Sequence, residues 1–546
     1  MRQSDSGFPD RQELLRELSS NSSEPWDLII VGGGITGAGV LREAARRGYR
    51  ALLVEQRDFS WGTSSRSSKM IHGGLRYLVS GDLKLTRDSL SERERLLREA
   101  PGLVDRMGYY FTVRKKTFPN RLAMSIALTL YDAFAGIRDH RSCSNQELSD
   151  VFTGLYVDDL KGACYYTDAV TDDCRLVLRV LQEAFQAGGQ ALNYVSVREL
   201  LMEDGQVRGV LLEDSDSGQA FPVRAPVVIS ATGAWADRLR NEINPEKRVR
   251  PLRGSHLVFP ASRLPVSHVL ALLHPEDKRA VFVFPWEGTT VVGTTDLDHP
   301  RSLDIEASIT GEEVSYLLTA VDHQFPDRQI TPDDVISTFS GVRPVIGAEK
   351  ARDPSKERRD HAVWFDRGLV TVSGGKLTTF RLIALDALEA AKEYLPAPAA
   401  DSVSEQIFTP PNVEPEEWLP YDSGWARRLL GRYGQMARTM LDAAPVEERA
   451  KISETAFCLA ECRWAIRHEA VQHLDDLLLR RTRLGQVLPR GGEMLFAALK
   501  GMFAEELGWT DDHWQSELAR YQAIWRYHYS LPQGEPVSKT EDVGGD

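Results

Sequence analysis

At 546 residues with 42% hydrophobic side chains, the chain has the apolar content of a soluble globular protein and length for about two to four structural units. A formal net charge of −13 argues against a general nucleic-acid binder, because phosphate backbones are held by clustered Lys and Arg. Cys143, Cys164, Cys174, Cys458 and Cys462, with no Cys-x-x-Cys pair, read as reduced thiols of a cytosolic protein and not as a disulfide framework or metal site.

Residues 1–25 read as a polar extension with one short amphipathic helix around Leu14, Leu15 and Leu18, and they lack the apolar core of a secretory signal. No stretch approaches the length of a bilayer-spanning helix. Asp27-Leu28-Ile29-Ile30-Val31 then runs into Gly32-x-Gly34-x-x-Gly37, and a second apolar run, Ala51–Val54, ends on Glu55. Strand, glycine turn, helix, strand and acid in that order form a dinucleotide-binding unit. The glycines permit a tight turn and a close approach of backbone to phosphate, and the helix N-terminus offers free N–H groups and a positive dipole end. Glu55 is placed to accept hydrogen bonds from ribose hydroxyls.

Next comes Gly62-Thr63-Ser64-Ser65-Arg66-Ser67-Ser68-Lys69, followed at once by His72-Gly73-Gly74-Leu75-Arg76-Tyr77. Such a loop can set N–H and O–H donors against phosphates and a planar ring. A solvated serine loop is the alternative, disfavoured by His72, Arg76 and Tyr77 following so closely. Arg114-Lys115-Lys116 and Arg121 precede an apolar helix over 122–131, which suits either an interfacial segment or a buried core helix. From 195 to 233 the chain turns strand-rich, with strands at 206–212 and 225–231 and a turn at 214–218 between them. Further strands at 280–284 and 290–294 complete what reads as a β-layer separate from the nucleotide sheet.

In Gly341-Val342-Arg343-Pro344, proline fixes its own φ and restricts Arg343, so the guanidinium would leave a stiff turn in a defined direction. Its planar fork suits a phosphate or carboxylate, with a surface ion pair as the alternative. A buried strand at 369–372 feeds Ser373-Gly374-Gly375-Lys376, and a helix runs from Leu377 to about 391. This is a second strand-glycine-helix corner, far along the chain from the first, and Lys376 there would stabilise charge developing on an isoalloxazine. Pro396, Pro398, Pro410, Pro411, Pro415 and Pro420 mark a linker. Helical periodicity follows at 426–433, 452–468, 471–479 and 494–503. The charged run Asp475–Arg483 reads as a partner surface or a charged helix end, and the tail from 532 as disordered.

These motifs, together with Gly254-Ser255-His256, Asp277-Lys278-Arg279, Gly293-Thr294-Thr295-Asp296 and Gly374-Gly375-Lys376-Leu377-Thr378-Thr379-Phe380-Arg381, resemble the FAD-dependent glycerol-3-phosphate dehydrogenases from about Trp26 to Arg381. The resemblance implies an α/β fold: a doubly wound FAD-binding domain interleaved with a β-sheet substrate layer (26–400), an all-α C-terminal domain (401–531) and a tail (532–546). It implies FAD as cofactor and no metal. Gly32, Gly34, Gly37 and Glu55 would hold the ADP half, and Ala231-Thr232-Gly233 would close over the nucleotide. Thr63, Ser64, Ser65, Ser68, Lys69, His72, Gly73, Gly374, Gly375, Lys376, Leu377 and Thr378 complete the expected cofactor set.

Arg76, Tyr77 and Arg343 are expected to face the substrate, as is Arg359, a match that the adjacent Arg358 makes ambiguous by one position. Lys376 would lie beside the flavin and Ser255-His256 on the substrate side. The implied reaction is oxidation of sn-glycerol 3-phosphate to dihydroxyacetone phosphate by hydride transfer to FAD. Either His256 or His72 could be the base, with arginine-assisted or water-mediated transfer also open. Further implied are a quinone acceptor, peripheral attachment to the cytoplasmic face of the cell membrane and a possible homodimer. The alternatives are an oxidase that reduces oxygen, an amine or amino-acid oxidase, and a non-catalytic flavin-binding sensor or scaffold.

Overall fold

The computed structural model describes residues 8–20, 24–75, 78, 81–115, 120–347, 361–399, 404–411, 418 and 421–532. Leu28–Val31 is apolar and buried at every position, the pattern of a parallel strand covered on both faces. It pairs in parallel with Ala51–Val54 on one side and with Val227–Ser230 on the other. The six-stranded sheet runs His361–Asp366, Leu369–Gly374, Val227–Ser230, Leu28–Val31, Ala51–Val54, Gln190–Leu192, with only the first strand antiparallel. The helices Ile35–Arg46, Asp173–Gln186 and Phe380–Ala391 bury Leu41, Val177 and Ala384 in one core with Leu53 and Ile229 of that sheet. Distant segments therefore return to one sheet, which sets the two glycine corners at the same edge of it, one strand apart across Val227–Ser230.

This corrects the expected grouping of residues 225–231 with a separate β-layer. Val227–Ser230 lies beside the first strand of the nucleotide sheet, and its unbroken burial marks it as a strand of that interior. The turn at 214–218 instead joins Gln206–Asp214 to Ala220–Arg224, which form a three-stranded antiparallel sheet with Val195–Glu203. A separate layer does exist. It is a ten-stranded sheet that takes in Ala280–Trp286 and Thr289–Gly293, with Val249–Pro260 paired to Thr289–Gly293 and to Ser337–Ile346. Arg343 accordingly leaves a strand, not a turn. Pro344 is accommodated there because it stands opposite Pro251, where neither residue has an N–H to donate.

The N-terminal helix spans Arg11–Ser19 and buries Leu14 and Leu18. Past the linker the described residues form the helices Ser423–Tyr433, Met436–Ala443, Leu459–His468, Phe496–Leu507 and Asp511–His528. The helix expected from 452 begins only at Leu459, since Lys451 and Cys458 form a β-bridge and the Cys458 N–H donates to Glu461 at 3.0 Å. All five cysteines are buried free thiols.

The run Asp475–Arg483 is charged helix rather than partner surface, and it is buried. Asp476–Arg481 is a fully buried π-helix whose arginines enter the first domain. Arg481 reaches Asp58 at 2.6 and 2.8 Å, and Arg480 meets the same carboxylate. Arg483 bonds Asp172 at 3.1 Å and pairs with Asp173. Among the described residues no helix is long and apolar enough to cross a membrane. The expected disordered tail lies, from 533 on, outside the described residues.

Candidate active site

The two glycine corners meet across a cavity of about 440 Å³. At the first, Gly32 has a φ of +114°, and a Cβ there would stand 2.6 Å from the Ala231 carbonyl oxygen. A Cβ on Gly37 would stand 1.9 Å from the Gly32 carbonyl, so glycine is what lets the helix close on the strand. Gly34 has no side chain with which to cap the helix Ile35–Arg46, and the Ser64 hydroxyl accepts the Ile35 N–H at 3.0 Å instead. The serine loop thus caps the nucleotide helix, whose other first-turn N–H groups have no partner within the helix. Glu55 accepts the Gly33 N–H at 2.7 Å and the Arg57 N–H at 2.9 Å. Burial raises its pKa above the ordinary value against the pull of these two donors.

At the second corner, Gly375 has a φ of +80°, and a Cβ there would stand 2.4 Å from Ile383. Lys376 lines the cavity, and its Nζ donates to Ser89 Oγ at 3.1 Å. The Ser373 hydroxyl donates to the Gly233 carbonyl at 3.1 Å and so ties the second corner to the turn that follows Val227–Ser230.

Of the expected cofactor residues, Gly32, Gly34, Glu55, Thr63, Ser64, Thr232, Gly233, Gly374, Gly375, Lys376 and Leu377 line this cavity. Gly37 lies behind it, in the first turn of the helix against the Gly32 carbonyl. Thr378 turns away to donate to the His72 carbonyl at 3.2 Å, and the Gly73 N–H donates to Asp168 at 3.2 Å. Ser65 is buried, and its carbonyl accepts from Lys69 Nζ at 2.7 Å. Lys69 is fully buried and paired with Asp173 at 2.9 Å, and desolvation lowers its pKa to about 8. It supports the loop from below.

The substrate layer borders the same place. Ser68 Oγ lies 2.9 Å from His256 Nε2, and the imidazole stacks on Phe339 at 4.4 Å with the rings 10° apart. A Cβ on Gly293 would stand 2.2 Å from that ring, so glycine makes the room. Burial, then the charges of Lys69 and Arg343, hold the His256 pKa well below 6.5, which leaves a neutral imidazole at neutral pH. Ser255, the next residue in the strand, faces the opposite way and donates to Glu313 at 2.8 Å.

The strand that lends Pro344 to the cavity wall carries Arg343 beside it. Arg343 Nη1 lies 3.3 Å from Asp296 Oδ1 and Nη2 lies 3.3 Å from Thr294 Oγ1. The other Asp296 oxygen faces Arg279 at 3.3 Å. Arg76, Tyr77 and Arg359 lie outside the described residues. No group of three or more His, Cys, Asp or Glu among the described residues is arranged to hold a metal.

Residues 27–384 match the FAD dependent oxidoreductase family, and residues 390–514 match the C-terminal domain of alpha-glycerophosphate oxidase. The aerobic glycerol-3-phosphate dehydrogenase of Bacillus subtilis is 34% identical over 500 residues, 86% of this chain and 88% of that protein. A glycerol-3-phosphate dehydrogenase of Mycobacterium leprae is 34% identical over 552 residues, 96% of this chain and 91% of its own. The chain belongs to the FAD-dependent glycerol-3-phosphate dehydrogenase family. The X-ray structure of the glycerol-3-phosphate dehydrogenase from Bacillus halodurans complexed with FAD aligns with a TM-score of 0.74 at 26% identity, over 94% of this chain and 97% of that one. An L-alpha-glycerophosphate oxidase of Mycoplasma pneumoniae, at 17% identity and a TM-score of 0.57, shares the fold.

The cavity of this family member fits FAD. Gly233, with a φ of +58°, faces space where a Cβ would meet nothing, and next to it Trp235 keeps a buried indole N–H for which no described residue supplies an acceptor. Sequence reasoning missed Trp61 and Trp235, which line the wall 6.1 Å apart. It also missed Asp296 and Arg279 as the setting of Arg343. Trp61 stands directly before Gly62, where the loop itself was the available signal.

Proposed function

We propose that the protein oxidises the secondary alcohol of sn-glycerol 3-phosphate to dihydroxyacetone phosphate and passes the electrons to a membrane quinone. The observation that carries this reading is the meeting of both glycine corners in one cavity whose wall continues into the strand of Arg343. When bound, FAD supplies the two-electron acceptor for the carbinol hydrogen. The protein supplies orientation and electrostatics. The fork of Arg343, steadied by Asp296 and Thr294, grips the phosphate dianion and fixes the carbinol relative to the second corner. Arg76, Tyr77 and Arg359 join it, as the family resemblance implies. Lys376 sets a cation in the cavity wall where negative charge develops. His256, with Ser68 at its Nε2, stands on the substrate side, and it or His72 takes the hydroxyl proton, directly or through a water.

The helix Arg121–Ala135 supports a membrane-bound acceptor. It buries Met124, Leu128 and Tyr131 and exposes Leu122, Ile126 and Leu130 in a row along its other side, with Leu122 71% and Ile126 64% exposed. The test of the reading is anaerobic addition of glycerol 3-phosphate to the purified yellow protein. The visible flavin absorbance should bleach, and an added quinone should restore it. A spectrum that stays unchanged removes the proposal, whereas oxygen uptake as fast as quinone reduction transfers it to the oxidase alternative.

A further inference from the structure

The helical domain ends against the cofactor loop. Tyr529 follows the last helix and is buried, and its hydroxyl donates to Glu306 Oε1 at 2.6 Å while accepting from Arg66 Nε at 3.3 Å. Arg66 pairs with the same carboxylate, which closes a three-membered ring of contacts among residues from the serine loop, the irregular segment before the helix Gly311–Gln324 and the end of the helical domain. The Arg66 guanidinium lies over the Trp61 ring at 4.7 Å, and Trp61 is a wall of the FAD cavity.

Three further contacts fix the ring in place. The backbone of Arg66 presses on the strand Ser337–Ile346 so closely that a Cβ on Gly341 would stand 2.4 Å from its carbonyl oxygen. The chain around Tyr529 is fastened to that strand as well, since the Thr338 N–H donates to the Tyr529 carbonyl at 2.7 Å and the Thr338 hydroxyl to the Ser530 carbonyl at 3.1 Å. Glu306 lies in neither helix nor strand, so its carboxylate is held by what it binds.

We infer that Tyr529 is a positioning residue of the FAD site: its hydroxyl locks the Glu306–Arg66 pair, the pair holds Trp61 as cavity wall, and the helical domain thereby completes the cofactor site of the preceding domain. This concerns cofactor retention and holds whichever substrate or acceptor the enzyme uses.

The test is FAD affinity of the full-length protein, measured by stripping the cofactor and titrating it back against flavin fluorescence. Tyr529→Phe keeps the ring and removes only the hydroxyl. A hydrogen bond to a charged partner is at stake, so FAD should bind about tenfold more weakly. Tyr521→Phe is the control, because Tyr521 is as deeply buried in the helical domain but donates to the Gly491 carbonyl at 2.6 Å, away from the loop. It should lower the melting temperature and leave FAD affinity unchanged. Unaltered affinity in Tyr529→Phe, or equal weakening in both tyrosine variants, overturns the inference. Should Tyr529→Phe fail to fold, Glu306→Gln reads the same ring from its other side, with weaker FAD binding expected and wild-type affinity the contrary result.

Discussion

Arg343 illustrates what a single side chain needs before it can grip an anion. Its strand is locked in register along Val249–Pro260, and Gly254 leaves the guanidinium room, since a Cβ there would stand 2.8 Å from Nη2. Asp296 then meets it from one side and Thr294 from the other. The fork is thus aimed before any ligand arrives, which reduces the entropy lost on binding. Replacing Arg343 with Ala should raise KM for glycerol 3-phosphate by roughly 10- to 100-fold, the worth of charge-assisted hydrogen bonds. The flavin spectrum should be retained. Arg343→Lys should recover only part of the loss, because an ammonium cannot reproduce a bidentate fork. Steady-state kinetics beside a visible spectrum decides the matter, and loss of FAD in the Ala variant would reassign the arginine to the cofactor.

At the scale of elements, legibility in the sequence followed how local the cause is. The corners at Gly32 and Gly375 could be read because a positive φ or a steric clash with a near neighbour is written in a few consecutive residues. Sheet membership is set by partners far along the chain, so Val227–Ser230 was recognisable as a strand but not as the neighbour of Leu28–Val31. Lys69 sat in a loop expected to bind the cofactor, yet its side chain is buried by Asp173, a residue no local pattern links to it. The helix Arg121–Ala135 combines both readings open to the sequence, one face in the core and one outside. Its outward row should therefore be separable from catalysis. The double change Leu122→Ser and Ile126→Ser should reduce affinity for anionic lipid vesicles, read by co-sedimentation, by roughly 100-fold or more, as each exposed aliphatic side chain carries about 1.5–3 kcal/mol of burial. Turnover with a water-soluble electron acceptor should stay at the wild-type level. Undiminished vesicle binding would mean that another surface meets the lipid.

Across the whole molecule, the two domains are joined by charge as well as by apolar packing. Asp58 follows the second strand of the nucleotide sheet, is fully buried, and takes Arg480 and Arg481 from the π-helix. Burial alone would raise its pKa, but the two guanidinium groups outweigh that and hold it below 3.8. A carboxyl whose folded pKa is depressed contributes stability above its unfolded value and loses it as the pH falls through the folded value. The contribution is thus complete at neutral pH and fades only below about pH 3.8. Removing the charge leaves Arg481 buried against the Glu469 carbonyl, while Arg480 keeps Asp475 and Asp476. Asp58→Asn should consequently lower the unfolding free energy by about 3–5 kcal/mol at pH 7, the cost of breaking a buried pair from one side. The difference between variant and wild type should shrink as the pH drops below 3.8, where the unfolded chain's carboxyl takes up a proton that the native, ion-paired carboxylate still refuses. Urea unfolding followed by tryptophan fluorescence at pH 7 and pH 3 measures both effects. A loss under about 1 kcal/mol at pH 7 would mean that apolar packing joins the domains and that the arginines only fill the space between them.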